Sequence, residues 1–296
     1  AGLRACVAQG IIDFPAPGVS DPKENLNVGR AFVDKWLGFS ELITPGLFCH
    51  SPLTCSEETL RGAMTISRDS ELPLQIHLAE TSAEIEQMIA RTGQGPVPYL
   101  ERLGLLNETL IAAHVIHLTR AEMERLCRKG VRIVHVPESN MKLASGAAAV
   151  VEMAAMGLAI GLGTDGAASN NDLDLFLEMD SAAKLAKIST LDPIGLDAGS
   201  ALQMATSWGA AVLGLAKDIG TLEVGKKADV IVVDTQSPHM NPLYNPESTL
   251  VYSASGADVK DVIVNGRILM KDRCILTLDA NEIMEKVNAI SRKIAG

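Results

Sequence analysis

Six histidines occur in the 296 residues, and four of them stand where a short apolar run stops: His50, His77, His114 and His135. A further apolar run, residues 159–163, stops at Thr164-Asp165-Gly166. Imidazole and carboxylate groups, with no cysteine among them, are the ligand types that suit zinc or iron(II). A catalytic metal keeps one position for water and lowers the pKa of that water towards neutrality. Such a site also needs a carboxylate to take the proton and an acid to return it. Asp165 and Glu80, three residues after His77, supply those groups. One histidine at the end of an apolar strand is ordinarily a hydrogen-bonded wall residue, and Asp-Gly after a strand is ordinarily a turn. Four aligned histidines and an aspartate together favour a site. His117 and His239 end no strand and are read as structural.

The elements that position these groups follow from the apolar periodicity. Strands are expected over residues 3–9, 42–49, 73–79, 109–114, 132–136 and 159–164. A Pro/Gly-rich loop at 13–22 and a helix over 23–37 separate the first two. Thr-x-x-Glu capping boxes at Thr54/Glu57, Thr81/Glu84 and Thr119/Glu122 announce helices soon after three of the strand-end histidines. Regular alternation of apolar strands with helices means a parallel sheet covered by helices, an α/β fold. This many units point to a (β/α) barrel, whose chemistry sits at the carboxyl ends of its strands. No G-x-G-x-x-G or Walker loop follows a strand. Beyond the helical region ending near residue 215 the pattern changes to short strands. A strand over 230–234 and a hairpin over 261–270, turning at Asn265-Gly266, belong to a small β subdomain. The expected organisation is a barrel over 1–218, the small β subdomain over 219–279 and a terminal helix over 280–296.

Composition narrows the function classes. The net charge is −10 and no basic cluster occurs, which excludes nucleic acid and an anionic membrane as expected partners. Only two tryptophans, three tyrosines and five phenylalanines are present, too few for a base-stacking platform. Mean hydropathy is +0.17, yet no apolar run reaches membrane-spanning length, and the first residues lack the basic-then-apolar order of a signal peptide. Five scattered cysteines without a C-x-x-C pair suit a reducing cytoplasm.

The segments His77-Leu78-Ala79-Glu80-Thr81, Ala113-His114-Val115-Ile116-His117 and Gly163-Thr164-Asp165-Gly166-Ala167-Ala168-Ser169-Asn170 resemble the amidohydrolase superfamily. The nearest branch is that of methylthioadenosine/S-adenosylhomocysteine deaminases and related amino- and chlorohydrolases. His50-Ser51-Pro52, His135-Val136-Pro137-Glu138-Ser139-Asn140 and residues 220–229 extend the resemblance along nearly the whole chain. It implies a (β/α)8 TIM-barrel metal hydrolase with a small β-sandwich subdomain, of which this chain holds strands three to eight. It implies His77 and Asp165 as ligands of one divalent metal, zinc ahead of iron, with Asp165 also the proton acceptor. Glu80 would shuttle a proton to the purine ring and also contact substrate, His114 would orient the attacking water, and His50 and Ser169 would face the ribose or base. The implied activity is hydrolytic deamination of an adenine nucleoside, with ammonia released. The cytidine-deaminase alternative lacks its H-x-E and P-C-x-x-C motifs.

One departure bears on all of this. The family's H-x-H pair, borne by the first barrel strand, is absent, because no two histidines are separated by a single residue. The expectation is a piece of a longer protein or a shortened homologue, either of which binds metal weakly or not at all. Uncovered strand edges would then call for further residues, a partner chain or a second copy as a homo-oligomer. Asp21 stands where relatives that accept carboxylate-bearing nucleosides carry arginine. That favours methylthioadenosine, 5'-deoxyadenosine or adenosine over S-adenosylhomocysteine. The competing readings are a related hydrolase of a triazine or of guanine, and a metal-free pseudoenzyme.

Overall fold

The computed structural model describes residues 1–295. In chain order the first part comprises β1 (Ala5–Ile11), α1 (Asn25–Trp36), β2 (Ile43–Cys49), α2 (Glu57–Asp69), β3 (Leu74–Leu78), α3 (Ser82–Thr92) and α4 (Pro96–Leu103). There follow β4 (Leu110–His114), α5 (Arg120–Arg128), β5 (Arg132–His135), α6 (Pro137–Lys142), α7 (Val150–Ala155), β6 (Ile160–Leu162), α8 (Leu175–Thr190), α9 (Ala198–Ala205) and α10 (Ser207–Val212). The remainder is β7 (Val230–Val233), α11 (Pro246–Tyr252), β8 (Val259–Val264), β9 (Arg267–Lys271), β10 (Cys274–Ile275) and α12 (Ala280–Ala295).

Strands β1 to β6 pair in sequence order, every pair parallel, with β1 and β6 as the two edges of the sheet. The pleat separates two environments. In β3, Leu74, Ile76 and Leu78 are fully buried, whereas Gln75 and His77 between them are only half-buried. Leu47, Leu110, Ala112, Ile133 and Ile160 join the first set in a core shared with Leu60, Ala63, Met88, Leu100 and Leu126 of the covering helices. Burying one such Leu or Ile contributes roughly 1.5–3 kcal/mol, so this face holds the sheet and frees the other face for a site.

The caps match the expected pattern in part. Thr119 and Glu122 form a complete reciprocal box. Thr81 caps α3 by accepting from the Glu84 N–H, but the Glu84 carboxylate turns to the backbone N–H of Glu80 instead of closing the box. At α2 the cap is Ser56 rather than Thr54, because the Thr54 hydroxyl is taken by His50 and Ser51.

Strands β7 to β10 form one four-stranded antiparallel sheet, the form taken by the expected small β region. Its Asn265-Gly266 turn has φ of 51° and 76°, the left-handed pair that a two-residue hairpin turn requires. Strand β10 was not foreseen, being only two residues long. Val233, Val259, Val262 and Met270 of this sheet pack with Phe176, Met179 and Ala201 of α8 and α9. The antiparallel sheet thus packs against α8 and α9 in a cluster of its own, beside the core of the parallel sheet. Among the described residues, no helix is long and apolar enough to cross a membrane.

Arg4 fastens the two sheets. Its guanidinium donates twice to Asp229, at 2.6 and 3.2 Å, and once to the Glu41 carbonyl at 3.0 Å. Asp229 also accepts from the Asn265 N–H at the hairpin turn, at 2.8 Å. The Arg4 and Asp229 side chains are 12% and 20% exposed, too sheltered for water to replace the pair cheaply. Arg4→Met should therefore lower unfolding stability by about 2 kcal/mol, the value of hydrogen bonds to a charged group. Urea denaturation tests this, and an unchanged midpoint would show that the junction carries no stability.

Candidate active site

The carboxyl ends of β2 to β6 lie on one side of the parallel sheet, so His50, His77, His114, His135 and Asp165 share that end. The ring of His77 lies edge-on to Phe48, with centroids 4.7 Å apart, and is 5.2 Å from the ring of His50 and 5.1 Å from that of His114. A cavity of about 210 Å³ opens beside it, with His77 and Asp165 as its ionisable lining groups. Phe48, Ile111, Ala113, Val134 and Val136 supply apolar wall. Burial, followed by the neighbouring His114 and His50, pulls the pKa of His77 down to about 4. The ring is neutral at physiological pH and keeps a lone pair for a ligand.

His114 is fully buried. Its Nδ1–H donates to Asn140 Oδ1 at 2.9 Å, which leaves Nε2 facing Glu80 Oε2 at 3.7 Å. The other oxygen of Glu80 accepts from the Ser145 hydroxyl at 3.2 Å. The Ser145 carbonyl in turn accepts from His117 Nε2 at 2.9 Å, so His117 steadies the loop over Glu80. His239 pairs with Asp258 in the small-sheet region.

Asp165 Oδ2 accepts from the hydroxyls of Ser139 and Ser169, each at 2.7 Å. Burial alone would raise its pKa, but these hydroxyls and the backbone of Gly166 outweigh it and hold the carboxyl below its usual range. The Ser169 hydroxyl is thus engaged with Asp165 and from this position acts as its support. His50 is exposed, its Nδ1 2.8 Å from the Thr54 hydroxyl. Asp21 is exposed too and accepts from the Lys23 N–H at 3.0 Å, capping the turn before α1.

His135 departs from the group. Val134 and Val136 line the cavity, so the pleat turns His135 to the opposite face, where it is fully buried with no partner for Nδ1. Sequence reasoning also passed over Ser139, Asn140 and Ser145. The cue was available for two of them, since Pro137-Glu138-Ser139-Asn140 opens a helix directly after a strand-end histidine.

Backbone strain marks the same end of the sheet. Ala79, His114, Val115 and Asp165, none of them glycine, have φ of 53°, 71°, 46° and 61°. Left-handed non-glycine residues cost about 1–3 kcal/mol each and gather at functional sites. Val115, which is β-branched, is the most strained type among them.

Burial also drives the His135 pKa down to about 3, with His114 adding to the effect. Its ordinary value is 6.5, so between pH 6.5 and about 3 the unfolded chain binds a proton that the folded chain refuses. Stability from this group is therefore complete above pH 6.5 and falls as the pH drops through that window. His135→Leu should flatten the acid side of the stability curve. Denaturant midpoints between pH 7 and 4 decide this, and parallel curves for parent and variant would refute it.

Comparison with known proteins shows the family of the chain. The profile described as the amidohydrolase family matches residues 1–269. A 5-methylthioadenosine/S-adenosylhomocysteine deaminase from Syntrophobacter fumaroxidans is 45% identical over 294 residues, covering 99% of this chain and 67% of that protein. One from Moorella thermoacetica is 48% identical over 289 residues, covering 97% of this chain and 66% of that protein. The chain spans about two thirds of the length of these relatives. An adenosine deaminase from Xanthomonas campestris, solved with bound zinc, superposes with a TM-score of 0.96 at 37% identity, covering 99% of this chain and 67% of that one. Atrazine chlorohydrolase from Arthrobacter aurescens superposes with a TM-score of 0.90 over 97% of this chain and 66% of that one, and at 22% identity it shares the fold. The strand-end constellation, the parallel sheet and these matches place the chain in the amidohydrolase family.

Proposed function

We propose that this chain carries the catalytic strand ends of a hydrolytic deaminase of adenine nucleosides. The observation that supports the reading is the gathering of a neutral imidazole, His77, and an ionised carboxylate, Asp165, on one largely apolar cavity with Glu80 and His114 beside them. Relatives more than 40% identical carry the deaminase name over nearly all of this chain. Five free thiols without a pairing pattern support a reducing, cytoplasmic setting.

The donor chemistry of His77 and Asp165 suits a divalent metal, zinc first, but their number does not complete a shell. Among the described residues, no three His, Cys, Asp or Glu side chains converge as metal ligands. A catalytic zinc takes three protein ligands and a water, and these two residues would supply two of them. When bound, the metal would supply Lewis acidity and lower the pKa of water.

The chain's own groups then divide the work. The apolar wall excludes bulk water and receives the purine. His114, held by Asn140 through Nδ1, offers Nε2 to orient the attacking water. Asp165 takes the proton from that water as its oxygen adds to the ring carbon bearing the amino group. Glu80 delivers one proton to the ring nitrogen, and Asp165 passes the proton it took from water to the departing amine, which leaves as ammonia. The added hydroxyl returns its proton to Glu80 as the ring carbonyl forms. His50, exposed with its ring 5.2 Å from that of His77, would meet the ribose.

The decisive assay measures ammonia release with zinc present, from residues 1–296 alone and from the same residues joined to the unmatched third of the Syntrophobacter relative. Glu80→Gln should lower the rate of the active form roughly 10²- to 10⁴-fold, the usual contribution of a positioned acid–base group. Its metal content should stay unchanged. Full activity in that variant would remove Glu80 from the mechanism. Methylthioadenosine and 5'-deoxyadenosine should show higher kcat/KM than S-adenosylhomocysteine, because Asp21 offers the substrate carboxylate a like charge. A preference for S-adenosylhomocysteine would overturn that argument.

A further inference from the structure

The supports of His114 and Asp165 converge on a group that the reaction does not use. Helix α6 provides Asn140 to His114 and Ser139 to Asp165, and residues 164–171 carry Asp165 itself with Ser169. Both segments are tied to α8 through one side chain. Glu178 Oε2 accepts the backbone N–H of Glu138 at 3.3 Å, in the first turn of α6. Glu178 Oε1 accepts from Asn170 Nδ2 at 2.6 Å. The same Asn170 nitrogen donates to the Thr164 carbonyl at 2.9 Å, one residue before Asp165. A parallel tie runs from the Ser181 hydroxyl, also on α8, to the Glu138 carboxylate at 2.8 Å.

Glu178 is 0% exposed. A carboxyl group in such a place is costly, and an apolar residue of similar volume would pack the α6–α8 contact at least as well. Burial, with Glu138 and Asp172 acting in the same direction, pushes its pKa up to about 8. At neutral pH it is therefore mostly an uncharged acid, which lessens the cost of burial while its oxygens still accept hydrogen bonds. What an apolar residue could not do is hold the α6 backbone and the Asp165 loop at once.

We propose that Glu178 is a positioning residue, whose two oxygens lock α6 and the 164–171 loop into the one arrangement in which Asn140 meets His114 and Ser139 and Ser169 meet Asp165. Its kinetic consequence rests on the deaminase reading, whereas its local consequence does not. Support shells of this kind typically carry 10- to 100-fold in activity when removed.

Hydrogen–deuterium exchange on the 296-residue chain tests the local part. Glu178→Ala should raise exchange in 137–142 and 164–171 by roughly 10-fold or more, with the small sheet at 259–271 unchanged. Glu178→Gln keeps the volume and one acceptor oxygen, so it should loosen only one of the two segments. It also remains informative should the alanine variant fail to fold. Unchanged exchange in both segments, or a uniform rise that includes the small sheet, would overturn the proposal. In the active form assayed above, Glu178→Ala should lower kcat about 10- to 100-fold with KM nearly constant. Unaltered kcat would likewise overturn it. Absence of deaminase activity in the parent would count against the deaminase reading alone, since the exchange result stands by itself.

Discussion

The parallel register of β2 to β6 is the constraint on which everything else rests. The His77 N–H donates to the His50 carbonyl at 3.2 Å, Leu78 lies opposite His114, and the Gly163 N–H donates to the His135 carbonyl at 2.9 Å. Backbone bonds thus link the very residues that end the strands. Because all the strands run the same way, residues far apart in sequence arrive at one end of the sheet without a long loop to carry them. Side chains alternate faces with a period of two, so a one-residue slip of β3 would send His77 into the helix layer and Ile76 or Leu78 into the cavity. The fully buried face of the sheet prevents that slip.

That arrangement has an electrostatic result. Burial, followed by the neighbouring His114 and His50, disfavours protonation of His77, which stays neutral well below physiological pH. Asp165 lies at the same end but is supplied with hydroxyl donors, and it stays ionised. Neutral nitrogen beside ionised oxygen is the protonation state that metal ligation requires. It is held here by desolvation on one side and by Ser139 and Ser169 on the other. The left-handed backbone at His114, Val115 and Asp165 is what lets side chains leave the strand ends at angles the pleat alone would not give.

Much of this could be read from the chain itself. The six strands of the parallel sheet, the Asn265-Gly266 hairpin and the complete box at Thr119 and Glu122 follow from periodicity and local chemistry, which act over a few residues. What escaped depends on distance. Thr54 has the right residue type for a helix cap, but His50 and Ser51 compete for its hydroxyl and Ser56 takes the position. His135 ends its strand as His77 does, yet neighbouring Val134 and Val136 claim the cavity face. The Ser169 hydroxyl donates to Asp165 four residues before it, a contact that local sequence does not announce. Glu178 lies inside α8, where a carboxylate ordinarily signals solvent. Only the approach of Asn170 and Glu138 from other segments shows why it is buried.

The proposal with most at stake is that His77 and Asp165 would act as ligands of a divalent metal. Zinc titration of residues 1–296, followed by calorimetry and repeated on His77→Ala and Asp165→Ala, tests it most directly. The account predicts weak binding by the parent and none by either variant. Tight stoichiometric binding that survives both substitutions would contradict it and move the metal to other residues of the chain.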